Sequence, residues 1–224
     1  TSRYFRFVYD KEGSEPGAED LDAAKCEPVL KVSSIELSST PLLHHYEGKT
    51  GAVWRISSIT TSAQLPDELC VPRDKIIDIT EYLNREGRLV WEVPEGHWTI
   101  LRIGHTSTGH TNYTGGAGLG LECDKFDPEA ARIQFDNWFG EAVRVAGPEL
   151  AGRVLRIFHT DSWECGSQNW SHVFRNEFQK RRGYDLLPYL PAMAGIPVES
   201  AEISERFLHD VRHTIAELVV DNFF

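Results

Sequence analysis

Four carboxylates sit where a parallel α/β fold would put chemistry. Glu122 and Asp124 close an apolar run at 119–126, and Asp161 and Glu164 follow a second run at 154–160. In such folds the carboxyl ends of the strands carry the active site. Carboxyls placed there either move protons or bind a hard cation. An acidic residue after a strand also caps the next helix, as Asp127 does here, so both readings of Asp124 stay open. Glu164 has the stronger functional setting. Around it, Ser162, Trp163, Gln168, Asn169 and Trp170 form a loop dense in indoles and amides. That composition suits a sugar, because indole faces stack on a pyranose while amides bond its hydroxyls.

Other patterns carry less. His209-Asp-Val-Arg-His213 imitates a zinc-protease helix, but Asp stands where the general-base Glu belongs. His44-His45 reads as a loop pair. The glycines between Gly115 and Gly120 lack the preceding strand and spacing of a dinucleotide site, and no nucleophile elbow or P-loop occurs. Asn112-Tyr-Thr114 and Asn169-Trp-Ser171 are formal glycosylation sequons, the second inside the sugar-like loop.

The elements that would position these residues divide the chain in two. The first part, 1–116, reads as β-rich and sandwich-like, with extended runs at 29–37, 51–56 and 75–80. A hairpin is expected at 88–93 and 97–104, where Leu89, Trp91 and Val93 alternate before the turn Pro94-Glu95-Gly96. A linker rich in Thr, Gly, Asn and His covers 106–118. The second part, 117–224, reads as α/β: strands at 119–126 and 154–160 alternate with helices at 128–146, 172–182 and 203–223. Asp127-Pro128 starts the first helix and Gly147-Pro148 stops it; Gly183 ends the second.

The chain has 224 residues and a formal net charge of −11, which disfavours binding to nucleic acid or to an anionic membrane. Aromatics reach 11%, too rich for a disordered chain. No apolar stretch approaches the roughly 18 residues of a membrane span. Met193 is the only methionine, so Thr1 is not a natural start and the chain is expected to come from something longer. Cys26, Cys70, Cys123 and Cys165 form no C-x-x-C pair, and the even number leaves disulfides possible.

Several strings resemble glycoside hydrolase family 106, the α-L-rhamnosidase family. They are Trp91-Glu-Val-Pro-Glu-Gly-His-Trp-Thr-Ile-Leu-Arg-Ile-Gly104, Gly120-Leu-Glu-Cys-Asp-Lys-Phe126, Asp161-Ser-Trp-Glu-Cys-Gly-Ser-Gln-Asn-Trp170, Arg181-Arg-Gly-Tyr-Asp185 and Pro188-Tyr-Leu-Pro191. They occur in the family's order over about 75–224. The resemblance implies a fragment of a multidomain enzyme: part of a β-sandwich followed by the first βα units of a (β/α)₈ barrel. It implies an inverting, exo-acting hydrolase of terminal α-L-rhamnose, assisted by calcium and secreted or periplasmic, with a rhamnose-containing oligo- or polysaccharide as substrate.

On that resemblance Glu164 is the general acid, and a neighbouring indole could desolvate it and keep it protonated. Asp161, Trp163, Asn169, Trp170 and Asp124 are candidate substrate contacts, and Glu122 a candidate calcium ligand. A complete barrel needs about 250 residues. The remainder of the barrel, with the second catalytic carboxylate, is therefore expected outside this chain. The chain alone is expected to be inactive, and to be marginally soluble or to dimerise through an open parallel edge or through the helix carrying Phe207 to Phe224. A non-catalytic carbohydrate-binding module is the alternative, and a scaffold fragment without function is a third reading.

Overall fold

The computed structural model describes residues 4–8, 32–53, 65–111, 118–160, 163 and 167–223. Among the described residues the α-helices are α1 (Tyr46–Lys49), α2 (Pro128–Phe135), α3 (Glu141–Leu150), α4 (Phe174–Arg182), α5 (Leu190–Met193) and α6 (Ala201–Phe223). The long helix α6 organises the core. Phe207, Leu208, Val211, Thr214 and Leu218 recur at three- and four-residue steps, and all five are buried. Each fully buried apolar side chain contributes about 1.5–3 kcal/mol.

Against that stripe lie Phe174 and Phe178, one helical turn apart on α4 and both fully buried. Phe178 packs edge-on to Phe207 at 5.9 Å, and Phe207 stacks on Tyr189 at 5.5 Å. Phe126, Leu186, Ala192 and Val198 complete the core. Two glycines are required by geometry. Gly183 ends α4 at φ 83°, a left-handed conformation that is cheap only without a Cβ. Gly195, at φ 85°, lies under Tyr46, whose ring would sit 2.7 Å from an added Cβ.

Polar groups inside this core are paired. Ser204 Oγ accepts from the Val198 N–H at 2.8 Å and lies 3.0 Å and 2.8 Å from the Val198 and Ser200 carbonyls, to which its hydroxyl donates. Thr214 accepts from Arg182 Nε at 3.1 Å and donates to the Asp210 carbonyl at 2.8 Å. From the last turn of α4, Arg181 bonds Glu217 and Asp221 on α6, and Arg182 also bonds Glu217. The Arg182 guanidinium, with Arg181 adding to it, holds the Glu217 carboxyl below its ordinary value of 4.5. Burial and a hydrogen bond to Asp210 push the Tyr184 phenol far above its usual range, so it stays a proton donor.

The helices expected at 128–146, 172–182 and 203–223 are present, whereas α1 and α5 are unexpected. Asp127 Oδ1 accepts from the Glu129 N–H at 2.9 Å and caps α2. Helix α2 continues through a π-helical turn, Asp136–Gly140, into α3, which breaks at Gly147 (φ 70°, ψ 172°) ahead of Pro148. The apolar face of this helix is not buried among the described residues. Trp138 is 60% exposed, and with Phe135, Phe139 and Phe158 it forms an aromatic cluster at the surface.

The expected fold class is corrected. The described residues contain no β-strand, so they are not a β-sandwich followed by the first βα units of a barrel. Four isolated bridges are present instead: Val71 with Val198, Leu83 with Leu89, Thr111 with Leu121, and Ala151 with Leu155. The runs at 88–93, 97–104, 119–126 and 154–160 have no ladder partner. Val93, Ile100, Ile103 and Ile157 are 58%, 53%, 50% and 79% exposed. The physical reason is that alternation selects a face, whereas a strand exists only when a neighbour supplies its hydrogen bonds. Among the described residues no parallel edge is present for the association expected through one. Parts of the runs expected at 29–37 and 51–56, and the boundary at 116/117, lie outside the described residues.

Candidate active site

Two buried anchors position the candidate loop. Phe126 is fully buried against Phe174 at 5.5 Å and fixes the 122–126 segment on the core. Asn222, near the end of α6, donates to the Lys125 carbonyl at 3.0 Å and ties the same segment to that helix. Ser171, 6% exposed, precedes α4, and its carbonyl accepts from the Phe174 N–H at 3.1 Å. Residues 122–126 and 167–171 are thus held side by side.

Asp124 links them. Its Oδ1 accepts from Gln168 Nε2 at 2.6 Å and from the Phe126 N–H at 3.0 Å; its Oδ2 accepts from Ser171 Oγ at 2.5 Å. Gln168 answers in the other direction, its Oε1 accepting from the Lys125 N–H at 3.3 Å. The side chain expected to meet substrate therefore spends its lone pairs on the protein's own donors. His172 stands beside it, with ring nitrogens 3.9 Å from Asp124 Oδ2 and 3.7 Å from Asp127 Oδ2.

The other candidates divide. Trp163 is half-buried, edge-on to Phe126 at 6.4 Å, with Lys125 Nζ over its ring 5.3 Å from the centroid. One indole face is thereby covered. Trp170 leans on Phe174 at 5.6 Å and on His105 at 6.3 Å, and it neighbours the half-buried Asn169. Glu122 is ion-paired with Lys125. Glu164 and Asp161 lie outside the described residues. Sequence reasoning missed Ser171, Lys125 and His172. Gln168 was visible in the amide-rich string, but its partner 44 positions earlier was not.

A calcium site needs several oxygens free to coordinate. Among the described residues no group of three or more His, Cys, Asp or Glu side chains is gathered for a metal. Glu122 is ion-paired with Lys125 and Asp124 already accepts three hydrogen bonds from the protein, so the two together do not supply the several free oxygens the ion needs. The two described cysteines, Cys70 and Cys123, are free thiols, and burial raises both. No described helix is long and apolar enough to cross a membrane.

Comparison with known proteins adds a family context. A family model described as alpha-L-rhamnosidase, glycoside hydrolase family 106, matches residues 15–224. A rhamnosidase from Novosphingobium sp. PP1Y, of known structure, superimposes with a TM-score of 0.65 at 32% identity, over 84% of this chain and 18% of that one. A protein of Formosa agariphila named "Putative beta-glucuronidase" is 41% identical over 161 residues, 71% of this chain and 14% of that protein. The chain thus spans under a fifth of the length of each.

Proposed function

Because the chain belongs to the α-L-rhamnosidase family of glycoside hydrolases, we propose that the full-length protein carrying it hydrolyses terminal α-L-rhamnosides with inversion. The observation that carries this reading is the family match over 15–224, supported by the likeness to a solved rhamnosidase. In the proposed reaction Glu164 donates its proton to the glycosidic oxygen as the bond to the anomeric carbon breaks. Water attacks that carbon from the opposite face and gives its proton to a second carboxylate, about 6.5–9.5 Å from the first. That base is not assigned to this chain. Trp170 and Asn169 supply an indole and an amide to the sugar, with Asp161 and Trp163 as further contacts. No step is routed through calcium, whose presence elemental analysis of the purified protein would decide. Fractionation would test the secreted or periplasmic setting.

A second reading, hydrolysis of β-glucuronides, is favoured by the name of the Formosa relative. The described site argues for the neutral sugar. Asp124 and Asp127 lie beside it, while Glu122 and Lys125 pair with each other. A uronate carboxylate would meet like charge there. The test is Glu164→Gln in the full-length protein, assayed on alkyl and nitrophenyl α-L-rhamnosides and on a nitrophenyl β-glucuronide. Loss of about 10²–10⁴-fold is expected on the alkyl rhamnoside, whose leaving group needs the proton. The activated rhamnoside should suffer less. Equal loss on both, or turnover of the glucuronide alone, would overturn the assignment.

A further inference from the structure

We propose that Asp124 is a positioning residue: a latch that holds the 167–171 loop, and with it Asn169 and Trp170, against the core. This inference rests on the function proposed above for its catalytic meaning, but its geometry stands apart from it. Three of the carboxylate's contacts come from the protein itself. Gln168 and Ser171 bond it from the loop, and the Phe126 N–H bonds it from its own segment. Those two loop residues bracket Asn169 and Trp170, so restraining both ends fixes what lies between. Gln168 also lies 3.3 Å from the Trp170 carbonyl, which its amide can reach while bonded to Asp124. Bonds to an ionised carboxylate are about twice as strong as neutral ones, which suits a side chain that must order a loop. Phe126, next but one in sequence, is fully buried and gives the latch a rigid base.

A latch and a sugar contact respond differently to substitution. Asn at 124 keeps one oxygen for Gln168 and the Phe126 N–H, and its amide can donate to Ser171 Oγ, whose hydroxyl turns to suit. A residue that needs its charge, to bind a cation or move a proton, is not rescued by Asn. Ala at 124 removes all three bonds and lets the loop relax.

The experiment uses the full-length protein with Asp124→Asn, Asp124→Ala and Gln168→Ala, the last leaving Asp124 and Ser171 joined should Asp124→Ala fold poorly. Steady-state kinetics are read on nitrophenyl α-L-rhamnoside, and amide hydrogen exchange is read over 167–173 and over α6. Asp124→Ala is expected to raise KM about tenfold with kcat within about threefold, because sugar contacts are misplaced while the acid is untouched. Gln168→Ala should move the same way by less, and Asp124→Asn should stay within about twofold of the parent. Exchange over 167–173 should rise in Asp124→Ala while α6 is unchanged. If Asp124→Asn loses kcat as fully as Asp124→Ala, the charge is chemical and the proposal is overturned. Unchanged exchange in Asp124→Ala and Gln168→Ala overturns it as well. Raised exchange in a protein inactive on every rhamnoside would remove the functional reading and uphold the latch.

Discussion

Residues 174–223 and residues 88–104 are both rich in apolar side chains, yet they end in opposite states. In the first, Phe178, Leu208 and Val211 are fully buried; in the second, Val90, Val93 and Ile103 are at least half exposed. The difference lies in where the backbone finds its partners. A helix closes its hydrogen bonds within four residues, so one segment can form α4 or α6 and offer a finished apolar face. An extended segment is half of a structure whose other half must come from elsewhere. Only Leu83 and Leu89 make a bridge within 79–104, and of the alternating Leu89, Trp91 and Val93, Trp91 packs edge-on to Trp98 at 5.6 Å while Val93 stays exposed.

The contrast can be broken most forcefully in the core. Phe178→Ala in this chain removes a ring that touches Phe174, Tyr184 and Phe207, and it should cost about 3–5 kcal/mol. Val93→Thr should stay within about 0.5 kcal/mol. Denaturant midpoints of the two variants against the parent check the pair. Comparable losses would mean that 88–104 is packed as firmly as the helices.

A smaller effect sharpens the same contrast. Ser204→Ala strips the Val198 N–H of its buried partner, while the Val198 carbonyl keeps the Ser200 N–H, and should cost about 1–3 kcal/mol. A melting temperature within one degree of the parent's would show that N–H to be satisfied otherwise.

The smallest expected effect is electrostatic. Glu217 is held below its ordinary value of 4.5 in the folded chain by Arg182 and Arg181. Its contribution is therefore complete above pH 4.5, declines as pH falls below that, and is lost once pH passes below its folded value. The carboxylate is 40% exposed, so solvent screens much of the interaction. Glu217→Gln should flatten the acid limb of stability and leave the rest of the profile nearly unchanged. An acid limb identical to the parent's would assign the loss to other carboxylates.

Much of the helical part was legible in the sequence. Asp127-Pro128 and Gly183 are local signals that bound a helix as read, and Gly147-Pro148 breaks α3 three residues before its end. The three-and-four spacing of Phe207, Leu208, Val211 and Leu218 named the face that α6 buries. That 88–104 forms no strand was not legible, because alternation at 88–93 reports a preference and not a partner. The site divides the same way. The indoles and amides of 163–170 were apparent as a sugar-like composition, but the bond from Asp124 to Gln168 spans 44 positions, and no local pattern encodes it. That bond is the observation on which the loop restraint proposed for Asp124 rests.

The central claim is that this chain belongs to a protein that cleaves α-L-rhamnosides with inversion. Proton NMR of the full-length protein acting on an aryl α-L-rhamnoside tests it most directly, because the first anomer released is seen before mutarotation. β-L-rhamnose at the earliest times is the predicted result; α-L-rhamnose first, or no free rhamnose at all, would contradict it.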